Sequence, residues 1–399
     1  MSDDRKMKIA RPFNFKRFAR RHIALRVCYL GWNYDGLVVQ ENTERTVEER
    51  LFTALEKVKL VENRHDSKLQ RCGRTDKGVS AFKQVFSLHV RSNLTKGTGV
   101  YVPEGSELWK GTRLQEPDAD PELNFPLILN RVLPFDIRVL AWAPLEAGDF
   151  SARFNCTGRV YKYFLPKGNL DVERVKSAAN LLIGSHDFRN FCRPNVDKKQ
   201  ISDEPQSFIR EIRSVTLEFC TSSTRNPCSS SSAYDLLELT IVGSGFLWHQ
   251  IRYTVAVLIA VGEGKESPEI VSDLLDIDRF PQKPQYDMAA DYPLCLFDCE
   301  YENDNLNWTW DKDAMRTQVI KNLQRQWLEH ETKATIIKRM LTDLCNESEL
   351  GEYVPSLVPG PNNPRKYVPI LKRPPSGKQE CETLSKKIVV CDRKTKSDL

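Results

Sequence analysis

No stretch of this 399-residue chain stays apolar long enough to span a bilayer. Its first residues, Met1 to Arg21, are polar and basic and lack the apolar core of a secretory signal. No Cys-x-x-Cys occurs. The closest cysteines, Cys295 and Cys299, have no second pair with which to complete a tetrahedral site, so neither zinc nor any other metal is expected. The eleven cysteines are scattered and odd in number, and without a secretory signal they read as reduced thiols. Nucleus and cytoplasm are therefore the expected locations, and membranes are not an expected partner.

What remains is a chain with 40% hydrophobic and 28% charged residues, the proportions of a soluble globular protein. Its length admits two or three average domains, or one large catalytic unit with tails. Net charge is only +5, but it is unevenly spread. Residues 1–26 carry nine Lys/Arg against two Asp/Glu, and residues 361–399 carry ten against four, which leaves the middle at about −8. Basic ends on a mildly acidic body suit either arms that meet a polyanion or solvated tails.

The chain is organised around Arg71-Cys72-Gly73-Arg74-Thr75-Asp76-Lys77-Gly78-Val79-Ser80-Ala81-Phe82. Ser67 to Leu69 before it lean towards strand, and Gln84 to Val90 after it read as a second strand. Gly73 and Gly78 bracket an acid flanked by Arg74 and Lys77, so Asp76 is expected at a loop tip. Neighbouring cations would hold its carboxyl ionised at neutral pH. An ionised, fixed carboxylate serves as nucleophile, general base or metal ligand; the plain alternative is a turn with an Asp cap.

Ile23, Leu25, Val27 and Tyr29 alternate as in a half-buried strand. Thr46-x-x-Glu49 is a capping box opening an amphipathic helix through Leu51, Leu55 and Val58. A short helix is expected over Leu123 to Val132, a strand over Ile137 to Trp142, and a lid or insertion at 92–120. Arg159-Val160-Tyr161-Lys162-Tyr163-Phe164 puts Tyr161 and Tyr163 on one face of a strand and Lys162 on the other. That pattern suits a platform for an unstacked base, or a strand with a core tyrosine. Asp171 to Ile183 reads as a helix, His186 as a structural hydrogen-bonding residue, and Ile209 to Phe219 and Leu236 to Val242 as strands joined by a Ser-rich loop, 221–233. Arg252 is the only charge between Gly243 and Gly262, in an apolar helix; it needs a partner or a route to water. Leu294 to Cys299 is a further strand, and a long helix over Asp313 to Leu344 reads as a bundle or homodimer element.

Gly-Arg-Thr-Asp-Lys-Gly-Val followed by Ser-Ala resembles the catalytic loop of the TruA-type tRNA pseudouridine synthases. Tyr29 to Glu49, Asp149 to Phe154, Arg159 to Phe164, Gly184 to Cys192 and Gly243 to Arg252 resemble the same family in order and spacing. Gln40-Glu41-Asn42-Thr43 and Tyr367 to Pro374 are similar to the eukaryotic branch that modifies tRNA positions 38 and 39. One departure is Ser80, where many bacterial relatives carry His. The resemblance covers residues 22–300, and more weakly 360–375.

The resemblance implies an α+β architecture of two similar halves, each a mostly antiparallel sheet backed by helices, around a cleft. The expected segments are a basic arm at 1–21, an N-terminal half at 22–145 carrying the Asp loop, a C-terminal half at 146–302, a helical extension at 303–350 and a basic tail at 351–399. It implies conversion of uridine to pseudouridine in the tRNA anticodon stem-loop without a cofactor. Asp76 would be the nucleophile, Tyr161 would stack on the base, and Arg252 would pair with Asp76. Arg74 would hold the flipped nucleotide, with Thr75, Lys77 and Arg159 also touching substrate. Two rivals stand beside this: a catalytically silent tRNA-binding module or RNA chaperone on the same fold, and a generic scaffold. Intact Asp76, Tyr161 and Arg252 argue against the first, and the basic ends argue against the second.

Overall fold

The computed structural model describes residues 13–107, 122–146, 150–193, 207–220, 232–302, 306–348, 351, 354–358 and 367–376. The chain divides into two compact units. The first takes residues up to Thr75, then Ala81–Cys156 and Tyr301–Glu329; the second takes Asp76–Ser80, Thr157–Glu300 and the chain from His330 onward. This differs from the contiguous halves 22–145 and 146–302 expected above, in which the Asp loop went wholly with the first. The reason is that later segments fold back. Trp142 and Thr309 exchange backbone hydrogen bonds within the first unit. Within the second, Gln285 N–H donates to the Pro374 carbonyl, so 367–376 is docked rather than part of a free tail. The insertion residues 108–120, most of the 221–233 loop, and residues 1–12 and 377–399 lie outside the described residues.

In the first unit, β1 (Ala19–Tyr29) is the central strand. It pairs antiparallel with β3 (Ser80–Ser92) along one edge and with β4 (Val100–Tyr101) and β5 (Ile137–Pro144) in succession along the other. The two-residue β2 (Gln70–Arg71) adds to β3. Strand β1 is not half-buried as its alternation suggests: Ile23, Ala24 and Leu25 are all fully buried. Helix α1 (Val47–Lys57) starts as predicted, with the Thr46 hydroxyl accepting from Glu49 N–H, and buries Val47, Leu51 and Leu55. The stretch before β2 is not strand. Asn63 caps a short turn, α2 (Arg64–Ser67), by accepting from Asp66 N–H, and Lys68 closes it in a left-handed conformation. Helix α3 (Phe125–Asn130) is capped by Asn124.

The long helical stretch is real but compound: α7 (Lys312–Ala314), a π-helical segment Met315–Ile320, then α8 (Lys321–Glu347). Val319 packs with Cys28 and Leu140, whereas no residue of α8 is buried. Val319 is thus a core residue, whereas Trp327, Ile336, Ile337 and Leu341 lie at the surface.

The second unit carries β6 (Cys156–Pro166), β7 (Gly184–Asp187), β8 (Ile209–Phe219), β9 (Leu236–Gly243) and β10 (Leu294–Tyr301), in the order β10-β6-β9-β8-β7. The pairings β6–β9, β9–β8 and β8–β7 are antiparallel. Helix α4 (Val172–Asn180) is capped by the Asp171 carboxylate, and with α5 (Gln250–Gly262) and α6 (Ile270–Leu275) it joins these strands in one apolar core. Ile370, from the C-terminal segment, is part of that core, and Glu266 accepts from both Ile370 N–H and the Tyr367 hydroxyl. Each unit is therefore a sheet with helices, as the α+β expectation states.

Glu122 is a buried charged node of the first unit. It accepts from Arg21 at 3.0 Å, from the Ser92 hydroxyl at 2.6 Å, and from the backbone of Asn93 and Leu123. Both side chains of the Arg21–Glu122 pair are 8% exposed. Glu122→Ala leaves a buried guanidinium without its counter-charge, and is expected to lower unfolding free energy by about 3–5 kcal/mol. Equilibrium urea unfolding measures it; a change below about 1 kcal/mol would show that water replaces the carboxylate.

Candidate active site

The stem of the Asp loop is fixed inside the first unit by its own side chains. Arg71 donates to Glu48 on α1 at 2.7 Å. Gln84 donates its amide to the Gly73 carbonyl at 2.9 Å, and Cys72 N–H donates to Val85. The Thr75 hydroxyl shares a 2.7 Å hydrogen bond with Tyr29, and its carbonyl accepts from Leu37. Thr75 is 6% exposed, so its hydroxyl anchors the loop and does not face solvent, contrary to the substrate contact expected of it. Arg74 is exposed.

The next five residues, Asp76–Ser80, belong to the second unit. A turn closes there through Val79 N–H to the Asp76 carbonyl. Gly78 has φ +79°, and a Cβ on it would lie 2.7 Å from the Asp291 carboxyl carbon, so both backbone and space demand glycine. Gly73 does not share this: its φ is not positive and a Cβ there would meet nothing. Lys77 is exposed.

The Asp76 side chain is 28% exposed. Its Oδ1 accepts from the Trp248 indole N–H at 3.2 Å, and its Oδ2 lies 3.5 Å from His249 Nε2. Burial pushes its carboxyl above the usual carboxylate range; the Arg252 charge and the Trp248 N–H pull it back, and Asp291 pushes it further up. The expectation that Arg74 and Lys77 would hold it low is thereby corrected. Desolvation dominates, and the cation that acts on it is Arg252.

Arg252 lies in the first turn of α5, with its side chain 10% exposed. Its Nε donates to the Ala289 carbonyl at 2.7 Å, and its Nη2 is 4.0 Å from Asp291 Oδ2. Among the described residues no ion pair joins it to Asp76, so it acts on that carboxylate through space rather than as the direct partner expected. The groups touching Asp76 are the two residues just before α5, which the sequence reading passed over. Their signal was available: Trp248 and His249 precede Arg252 by four and three residues, within one helical turn. Asp291 carried no comparable signal.

His249 occupies the N-cap position of α5 at φ +62°, a left-handed conformation that costs a non-glycine residue roughly 1–2 kcal/mol. Burial, followed by the charges of Arg252, Arg193 and Lys283, pushes its imidazole down to about 4, so it is neutral at physiological pH. Its Nδ1 is buried without a partner. Arg193 lies over the Trp248 ring at 4.9 Å, and its N–H donates to the Trp248 carbonyl.

On β6, Tyr161 and Tyr163 share a face as their alternation predicts, and both pack against the core of the unit. Tyr161 is half-buried and meets Phe246 edge-on, centroids 5.2 Å apart. Tyr163 is buried, its hydroxyl donating to the Ala290 carbonyl. Lys162, on the other face, pairs with Glu238 at 2.6 Å and lies over Phe297. Arg159 donates to the Ser244 carbonyl at 2.6 Å, bracing the turn before Trp248. His186 bonds the Ile183 carbonyl, the structural role expected of it. No group of three or more metal-ligating side chains occurs among the described residues.

A profile of the family described as tRNA pseudouridine synthase matches residues 178–302, a segment containing Trp248, His249, Arg252 and Asp291. The chain is 40% identical over 400 residues to the human tRNA pseudouridine(38/39) synthase, covering 96% of this chain and 79% of the human one. It is 43% identical to the bovine protein of the same name, covering 84% of this chain and 66% of the bovine one. With the Saccharomyces cerevisiae protein of that name the figures are 41%, 74% and 60%. The chain thus spans just under two thirds of the bovine relative's length.

Because the folded state raises the Asp76 pKa, holding this carboxylate ionised opposes folding. A raised folded-state pKa means that the native state binds more protons than the unfolded one between the two values, so the carboxylate's contribution worsens as pH rises through that window. Asp76→Asn is accordingly expected to raise the melting temperature at neutral pH, with the gain vanishing below the unfolded carboxylate value near 4. Thermal melts across pH check this; a variant less stable than wild type at neutral pH would show that Trp248 and Arg252 outweigh burial.

Proposed function

Because the chain belongs to the tRNA pseudouridine synthase family, we propose that it isomerises uridine to pseudouridine in tRNA, at positions 38 and 39 of the anticodon stem-loop. The observation that carries this is the Asp76 carboxylate, partly exposed and held by Trp248, in a chain that shares 40% of its residues with the human tRNA pseudouridine(38/39) synthase. The reaction breaks the bond between ribose C1′ and uracil N1, turns the base, and joins C1′ to C5. The C5 proton leaves and N1 ends protonated, so no electrons are gained or lost and the chemistry requires no redox cofactor.

A base inside a stem is out of reach, so the target nucleotide is flipped, which is cheapest where a stem meets a loop. Asp76 is the nucleophile, at C1′ or at C6. A carboxylate raised by burial is the more basic and more nucleophilic for it, provided the pH keeps it ionised. The Arg252 charge favours that ionised form. Tyr161 offers its ring to the uracil, and the exposed Arg74 and Lys77 meet the flipped nucleotide and its phosphates. Thr75 and Arg159, whose polar atoms bond Tyr29 and Ser244, shape the loop and the turn. Basic residues at both ends add phosphate contacts.

A second copy of the chain is the proposed cover for the exposed Trp327, Leu328, Ile336, Ile337, Met340, Leu341 and Leu344 of α8. The nucleus and cytoplasm, where cysteines are kept reduced, are its proposed locations. No helix of the described residues is long and apolar enough to cross a membrane.

The substrate is tested with unmodified tRNAs carrying single uridines at 27, 38, 39, 40 or 55, incubated with the purified protein and mapped for pseudouridine. Modification is expected at 38 and 39, and none with Asp76→Asn. Modification at 27 or 55 alone would remove the 38/39 assignment and keep the chemistry, whereas retained turnover by Asp76→Asn would remove Asp76 as nucleophile. For assembly, Ile336→Asp with Ile337→Asp is expected to convert a sedimenting dimer to monomer. A wild-type protein already monomeric at micromolar concentration would end that part of the reading.

A further inference from the structure

Asp76 has one neighbour on each carboxylate oxygen, and neither is Arg252. The Trp248 indole N–H bonds Oδ1 at 3.2 Å, and His249 Nε2 stands 3.5 Å from Oδ2, just beyond hydrogen-bond length. We propose that Trp248 and His249 are positioning residues for Asp76: together they hold the plane of its carboxylate, while Arg252 sets only the field around it. The proposal rests on Asp76 being the nucleophile.

Four observations support it. Trp248 is 45% exposed, more than burial alone would leave an indole, yet its polar edge is spent on a carboxylate and its ring is held from the side by Arg193. An indole N–H is a donor with no competing acceptor and no ionisation of its own, so it can serve only the carboxylate's unprotonated oxygen. His249 is held at φ +62°, where glycine would be unstrained, and its ring makes no capping bond to the helix that it precedes. A strained residue that does not cap is retained for what its ring meets, and the carboxylate that its ring meets is Asp76.

The fourth is the tautomer. The ring is neutral at physiological pH, so one nitrogen carries hydrogen and the other a lone pair. Nδ1 is buried without a partner. An unpaired buried acceptor is less costly than an unpaired buried N–H, so the hydrogen sits on Nε2, facing Asp76 Oδ2. A neutral imidazole with that orientation cannot give up or take a proton usefully at neutral pH, so His249 orients the carboxylate rather than exchanging protons with substrate. The charged groups around Asp76 are then Arg252 and Asp291, with Arg74 and Lys77 adjacent in the chain; Arg193 and Lys283 act on His249.

The test is single-turnover pseudouridine formation by the full-length protein across pH, on a tRNA with one target uridine, for Trp248→Phe, His249→Gly and Asp76→Asn. Trp248→Phe leaves an aromatic ring for Arg193 to cover and removes the N–H together with the five-membered ring that carries it. Its rate at neutral pH is expected to fall about ten- to a hundredfold, with tRNA affinity little changed. Its acid limb should move to higher pH by about half a unit to one unit, because the ionised carboxylate has lost a donor. His249→Gly removes the ring where glycine suits the backbone, so its melting temperature should hold or rise while its rate falls about tenfold. Wild-type rates and acid limbs in both variants would overturn the proposal. So would a slowed Trp248→Phe whose acid limb stays in place, since the indole would then be serving the substrate. Should Trp248→Phe lose its fold, the His249→Gly rate decides alone. Turnover by Asp76→Asn would instead defeat the nucleophile assignment beneath it.

Discussion

The Asp76 carboxylate is placed where burial makes its anion costly. In the second unit, desolvation raises the Asp76 pKa, and the surroundings do not fully cancel it. Several otherwise odd features follow from that one constraint. Trp248 turns a polar edge inward while its face stays exposed. His249 sits in a left-handed conformation beside the carboxylate and stays neutral. Gly78 lets Asp291 approach to a distance no Cβ would permit. Arg252 provides positive potential from within an apolar helix while its own N–H is satisfied by Ala289.

The same treatment of cations recurs in the first unit. Arg138 is buried, and its guanidinium donates to the carbonyls of Leu133, Pro134, Ile137 and Gln318 rather than to an acid. Arg21, by contrast, has a buried acid, and that acid also ties Ser92 and the backbone after it. Carbonyl oxygens satisfy donors without creating a counter-ion that needs its own solvation, which suits a cation whose field is wanted, or at least harmless. The stem of the Asp loop uses neutral or paired contacts throughout: Arg71 with Glu48, Gln84 with Gly73, and Tyr29 with Thr75. A loop tied at three successive points loses little further entropy when substrate arrives.

How much of this could be read beforehand varied with the range of the interaction. Helix α1 was legible from Thr46 and Glu49, and α5 from its apolar run, because caps and periodicity act over three or four residues. The alternation on β6 likewise placed Tyr161, Tyr163 and Lys162 on their faces. The Ser67 to Leu69 stretch was misread because a short Asn-capped turn outweighs weak strand preference. The depth of β1 was misread because a strand covered on both faces need not alternate. The long helix at 312–347 was found, but its division into a packed start and an exposed remainder depends on what the rest of the chain leaves uncovered.

The resemblance to the tRNA pseudouridine synthases was legible in the sequence alone, since the strings that carry it, those around Asp76, Tyr161 and Arg252 among them, are contiguous. The α+β class came with that resemblance, and periodicity added only that strands and helices alternate. Tertiary structure decided which groups touch Asp76. Trp248 and His249 are 172 and 173 residues away along the chain, Asp291 is more distant still, and only folding brings them to one carboxylate. It also decided the sign of the Asp76 shift. Two flanking bases predict a lowered pKa in any solvated loop, but the energy of removing water from a carboxylate exceeds the pull of nearby charge. Solvent exclusion is a property of the packed chain, and no pattern of neighbouring residues encodes it.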